Sequence, residues 1–130
     1  MTAVRTILVA YDDPESKTLS RAADLAESLK AALIVTNVAP EDYHEDQNAV
    51  HYGSERLDQA RAYLAERGLE AELVQSVGQP AEAIVGLAEE RDADLIVVGM
   101  RRKGFFERLV EGSVAQNVMR RATCDVLAVH

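Results

Sequence analysis

The sequence predicts an α/β fold: one domain, residues 1–130, built as a three-layer α/β/α sandwich around a five-stranded parallel sheet. Three observations carry that expectation. Short apolar runs alternate with helical patterns from one end of the chain to the other, the mark of strands joined by helical crossovers. The run Leu95–Val98 is apolar at every position, as in a strand buried on both faces. The length, 130 residues with 48% apolar and 28% charged side chains, suits one core, because folding at this size hides about two-thirds of the unfolded surface.

Each element has its own signal. Ile7–Ala10 is the first strand. Asp13-Pro14-Glu15 reads as a helix start, with Asp as N-cap, Pro at the first helical position and an acidic residue near the positive end of the dipole. Leu19, Ala22, Ala23, Ala26 and Leu29 then share one helical face. Leu33–Val38 is the second strand. Residues 39–53, acidic and mixed with Pro40 and Gly53, read as a mobile loop. Ser54, Leu57, Ala60 and Leu64 open the second amphipathic helix, and Gly68 after Arg67 stops it. Leu73–Val77 is the third strand and Gly78-Gln79-Pro80 a turn. Ala81–Arg91 forms the third helix, with Ile84, Leu87 and Ala88 inward. Leu95–Val98 is followed by a loop, Gly99–Gly112. Ser113 begins the last helix, with Ala115, Val118, Met119 and Ala122 on one face, and Val126–Val129 is the fifth strand. Right-handed crossovers then place helices on both faces of the sheet.

Composition removes several function classes. One cysteine and three histidines cannot build a disulfide framework or a cysteine-rich zinc site, so no metal site is expected. No apolar run approaches the roughly 18 residues of a membrane span, and the N-terminus shows no secretory signal; the chain reads as soluble and cytoplasmic. A net charge of −8 argues against nucleic acid as partner. That charge is uneven. Residues 99–123 hold six basic side chains (Arg101, Arg102, Lys103, Arg108, Arg120, Arg121) against Glu107 and Glu111, hence +4, leaving −12 elsewhere. A basic segment in an acidic protein is either a candidate anion site or a solvated surface.

Ligands of open α/β sheets bind beyond the C-terminal ends of the strands. Three segments reach that edge: Ala10-Tyr11-Asp12, Asn37-Val38-Ala39, and Val98-Gly99 with Gly112-Ser113 at a helix start. The leading N–H groups of Ser113, Val114 and Ala115 would favour an anion, and the two glycines would let backbone approach it. Equally, the glycines could serve turns alone and Ser113 its helix alone. His44 and His51 in the acidic loop, the terminal His130 and Cys124 before an apolar strand read as solvated or packing residues. Phe105 and Phe106 suit either a ligand cover or simple packing.

These residues carry a resemblance. GMRRKGFFERLVEGSVAQNV, between ADLIVVG and CDVLAVH, resembles the nucleotide-binding region of the universal stress protein family, whose motif is Gly, two residues, Gly, nine residues, Gly, then Ser or Thr. VRTILVAYDD and VGQPAEAIVGLAEERDADLIVVG resemble other segments of the same family, so the likeness spans the chain. It implies a Rossmann-like, adenine nucleotide alpha hydrolase-like fold with strand order 3-2-1-4-5, and a regulatory module of the stress response that binds ATP or another adenine nucleotide. Asp12 and Val38 would contact base or ribose, Val98 and Gly99 the sugar side, and Gly112, Ser113, Val114 and Ala115 the phosphates. Mg²⁺ or Mn²⁺ would enter only with the nucleotide. The motif departs at its second glycine, which falls on Arg102. A side chain there resists close backbone approach, yet a guanidinium binds phosphate well. Arg101 and Arg102 could therefore replace the missing contacts, or Arg102 could close the site and leave a dimeric interaction module without nucleotide. No catalytic motif is present, so at most slow ATP hydrolysis is expected. The resemblance further implies a homodimer through the edge strand Val126–Val129, alongside an unidentified protein partner.

Overall fold

In the computed structural model, residues 3–41, 47–100 and 112–130 are described, with the side chains of 47–52 excepted. The elements run β1 (Thr6–Ala10), α1 (Thr18–Leu29), β2 (Ala32–Ala39), α2 (Gln47–Glu66), β3 (Glu72–Val77), α3 (Pro80–Glu90), β4 (Leu95–Gly99), α4 (Ser113–Arg121) and β5 (Asp125–Val129). The strands form one sheet in the order β3-β2-β1-β4-β5, every neighbouring pair parallel, with Ile7 opposite both Leu33 and Leu95.

Strand side chains alternate between two cores. Ile7, Val9, Tyr11, Leu33, Val35 and Val97 face α1 and α2 through Leu19, Ala22, Ala23, Ala26, Ala60 and Leu64. Leu8, Ile34, Val38, Ile96 and Val98 face α3 and α4 through Ala81, Ile84, Leu87, Ala88, Val114, Ala115 and Val118. The central strands are buried on both faces, so Ile7, Leu8, Val9, Val35 and Val97 all show 0% exposure. Because α1 and α2 lie on one face and α3 and α4 on the other, the winding reverses between β1 and β4, and the crevice of such a fold opens there.

Four details correct the expectations. Asp13-Pro14-Glu15 does not open α1; the chain folds back on itself, the Glu15 N–H donating to Asp13 Oδ1 at 2.9 Å and the Ser16 N–H to the Asp13 carbonyl at 3.1 Å. An Asp side chain that bonds two residues ahead makes a turn instead of a cap. Residues 47–53 belong to α2 and are not loop. Leu29, 47% exposed, and Met119, 48% exposed, lie off the buried faces, each within the last turn of a helix. Pro80 sits inside α3, with Gln79 as N-cap accepting the Glu82 N–H at 2.7 Å, since proline's missing N–H costs nothing in a first turn.

Surface charges stitch neighbouring elements. Arg67, at the end of α2, reaches Asp24 (2.9 Å) and Glu27 on α1 and lies over the Tyr63 ring. Its guanidinium is held further above its ordinary value by the Tyr63 hydroxyl, then by Asp24. Arg91 grips Glu72 with Nε and Nη2, the shorter bond 2.9 Å. Both pairs lie at the surface, where solvent screening leaves each little net stabilisation.

Candidate functional site

The C-terminal edge of the sheet collects what the sequence singled out. Tyr11 follows β1 directly, and its N–H donates to the Thr36 carbonyl at 2.8 Å. Asp12 follows, half-buried, at the point where the winding reverses. Asp13 is 4% exposed and committed to its own turn. Val38 and Val98 are 7% and 1% exposed, with side chains packed under α3 and α4, so each can offer a ligand only backbone. Gly99 ends β4.

The Met100 N–H donates to the Val129 carbonyl at 2.8 Å, which fixes the chain just beyond β4. Its side chain lies against Gly112: a Cβ on that glycine would stand 2.7 Å from Met100 Cε. Thus the end of β4 and the start of α4 meet, although thirteen positions separate Gly99 from Gly112 in sequence. Gly112 also has φ of 83°, a left-handed conformation that a side chain resists. Torsion is what calls for glycine there, since the Met100 methyl ends a flexible side chain that can move aside.

The three described strand-to-helix starts at this edge differ chemically. At α1, Ser16 Oγ accepts the Thr18 N–H at 2.9 Å. At α3, the Gln79 side chain accepts the Glu82 N–H. At α4, the N-cap is Gly112, with no side chain to offer, and the first intrahelical bond runs from the Gln116 N–H to the Gly112 carbonyl. The N–H groups of Ser113, Val114 and Ala115 therefore precede the helix's own ladder, and among the described residues no side chain caps them. The Val114 and Ala115 side chains are buried in the core at 2% and 0% exposure, so their contribution to a site is backbone N–H alone. Ser113 is half-buried and adds a hydroxyl. Such a start, at the positive end of a helix dipole, attracts anions. Arg101 and Arg102, like Phe105, Phe106 and His44, lie outside the described residues.

A polar cluster that the sequence reading did not single out lies beneath this edge. Thr36 and Asn37 are buried at 0% and 1% exposure. Thr36 Oγ1 donates to the Val74 carbonyl and shares a 2.7 Å bond with Ser76 Oγ. Asn37 bonds Tyr11 and Gln75. The available signal was a polar pair inside the otherwise apolar run Leu33–Val38, matched by Gln75 and Ser76 in the next strand.

Elsewhere, a cleft of about 510 Å³ opens at the opposite end of β4 and β5, lined by Val85, Ile96, Cys124 and the carboxylates Glu89, Asp92, Asp94 and Asp125. Burial, then Asp125, Asp94 and Glu89, push the Cys124 thiol above its ordinary value, which keeps it protonated and suits a packing role. Asp94 is engaged structurally, accepting the Arg5 and Thr6 N–H groups at 2.8 and 3.0 Å. No described helix is long and apolar enough to cross a membrane.

A parallel sheet of order 3-2-1-4-5 with helices on both faces defines a doubly wound α/β protein. The chain belongs to the universal stress protein family: the family profile, described as Universal stress protein family, matches residues 3–130. It is 32% identical to universal stress protein YxiE of Bacillus subtilis, over 95% of this chain and 97% of that protein. Among solved structures it is similar to a universal stress protein in complex with cAMP, with TM-score 0.80 and 30% identity over 99% of both chains. It is also similar to the Archaeoglobus fulgidus universal stress protein in complex with dAMP, with TM-score 0.79 and 25% identity over 99% of this chain and 100% of that one.

Proposed function

We propose that this protein binds an adenine nucleotide across the C-terminal ends of β1, β2 and β4, and that occupancy of the site regulates a cytoplasmic stress response. The observation that carries the reading is the start of α4. Its N-cap is Gly112, which has no side chain to cap the helix, and it presents the N–H groups of Ser113–Ala115 behind a glycine that permits close approach. Asp12 and the Val38 backbone take the base and ribose, Val98 and Gly99 line the sugar, and Gly112–Ala115 hold phosphate. Arg101 and Arg102 adjoin the phosphate end by sequence and add positive charge. One helix start suits one phosphate group, and the relatives in complex with cAMP and dAMP both hold adenine monophosphates. An AMP-type ligand is therefore expected to bind at least as well as ATP.

Isothermal titration with AMP, cAMP, ADP and ATP tests the reading. Saturable heat with at least one of them is expected; none with any would end it. The same reading includes a homodimer through β5, whose half-buried Val126, Leu127 and Ala128 form a sheet edge. Leu127→Lys should convert the dimer to monomer on sedimentation, and an unchanged dimer would move the interface elsewhere.

A further inference from the structure

The backbone ladder between β1 and β2 ends at the pair Ala10–Thr36. Tyr11 and Asp12 lie beyond it, yet Tyr11 is held from both sides. Its N–H donates to the Thr36 carbonyl at 2.8 Å, and its carbonyl accepts the Asn37 side-chain amide at 2.9 Å. A side-chain amide has the donor and acceptor geometry of a peptide group, so Asn37 extends the pairing by one residue where the strand is about to leave the sheet. Asn37 is itself fixed. Gln75 Nε2, on edge strand β3, donates to both the Asn37 carbonyl (2.8 Å) and Asn37 Oδ1 (3.1 Å). Gln75 in turn is pressed by α2: a Cβ on Gly53 would stand 2.4 Å from Gln75 Oε1 and 3.3 Å from Asn37 Oδ1. At 1% exposure, an Asn left without these partners would be costly, so the cluster has one arrangement.

We propose that Asn37, locked by Gln75 under Gly53, is the positioning residue that sets the Tyr11–Asp12 backbone for the nucleoside, so that α2 and the β3 edge influence binding at a site they do not touch. The proposal rests on the adenine-nucleotide reading above. Asn37→Asp keeps an acceptor for Gln75 but sets a carboxylate oxygen against the Tyr11 carbonyl. Gly53→Ala leaves Asn37 and the crevice residues themselves unchanged; its methyl suits a helix interior, displaces the end of the Gln75 side chain and comes within 3.3 Å of Asn37 Oδ1. Leu64→Ala, in the core under α1 and α2, serves as a destabilised control.

The experiment measures AMP affinity, melting temperature and amide hydrogen exchange at Tyr11 for wild type and the three variants. Asn37→Asp should weaken AMP about tenfold and Gly53→Ala about threefold, the scale of one hydrogen bond lost or loosened. The Tyr11 amide should exchange faster in both. Leu64→Ala should lower the melting temperature and leave affinity unchanged. The proposal is overturned if Asn37→Asp and Gly53→Ala bind AMP as wild type does, or if Leu64→Ala weakens AMP equally. If wild type binds none of AMP, cAMP, ADP and ATP, the nucleotide reading fails, and the positioning claim then stands or falls on whether Tyr11 exchange rises in the two variants.

Discussion

The starts of α1 and α4 lie at the same end of the sheet, and the chain treats their leading N–H groups in opposite ways. Before α1, Asp13 and Ser16 turn their oxygens inward and accept the Glu15 and Thr18 N–H groups at 2.9 Å each. Before α4 stands a left-handed glycine with no oxygen to offer, closed on one side by Met100. The dipole is the same at both places. What differs is whether the protein has used its own acceptors. Gly112 offers the leading N–H groups of α4 no side-chain acceptor, whereas Ser16 offers one to the Thr18 N–H of α1.

The contrast can be broken most severely at Gly112. Gly112→Val should lower stability by about 2 kcal/mol, because a β-branched residue resists φ of 83°, and should weaken AMP by about tenfold or more; thermal melting and titration read the two effects. Asp13→Ala, in the turn before α1, should cost about 1 kcal/mol of stability through the lost Glu15 N–H bond and change AMP affinity by less than about threefold. An affinity loss as large as that of Gly112→Val would place the anion at α1 and invert the comparison. Gln79→Ala uncaps α3, and about 0.5 to 1 kcal/mol should be lost in a melt with titration curves unchanged.

The smallest effect concerns a pair remote from both starts. Arg91 holds the Glu72 carboxyl below its ordinary value. Its stabilisation is therefore present above the ordinary carboxylate range and is lost as pH falls through the lowered folded-state value. Glu72→Gln should depress the melting temperature slightly at neutral pH and leave it unchanged in acid. A uniform depression at all pH values would assign the effect to packing.

Much of the fold was legible because each element carried its own periodicity. Leu95–Val98 reads as a doubly buried strand and is one, and Gly68, with φ of 72°, ends α2 as its position after Arg67 requires. The misreadings share a cause. Asp13 had two local bonding choices, cap or turn, and residues 47–53 lacked an apolar stripe, so local signals did not distinguish the outcomes. Of the site, Asp12, Gly99, Gly112 and Ser113 were visible through spacing and family likeness. Asn37 and Gln75 were not, because a polar residue within a strand has no meaning until its partners are known.

By itself the sequence determined the class of fold and the order of its elements, since these follow from patterns a few residues long. Only the tertiary structure decided that Met100 closes on Gly112 and that Asn37 meets Tyr11 and Gln75. Those contacts join residues 12 to 38 positions apart in the chain. Hydrogen bonds and packing at that range depend on strand register and helix placement, which exist only once the whole core has formed.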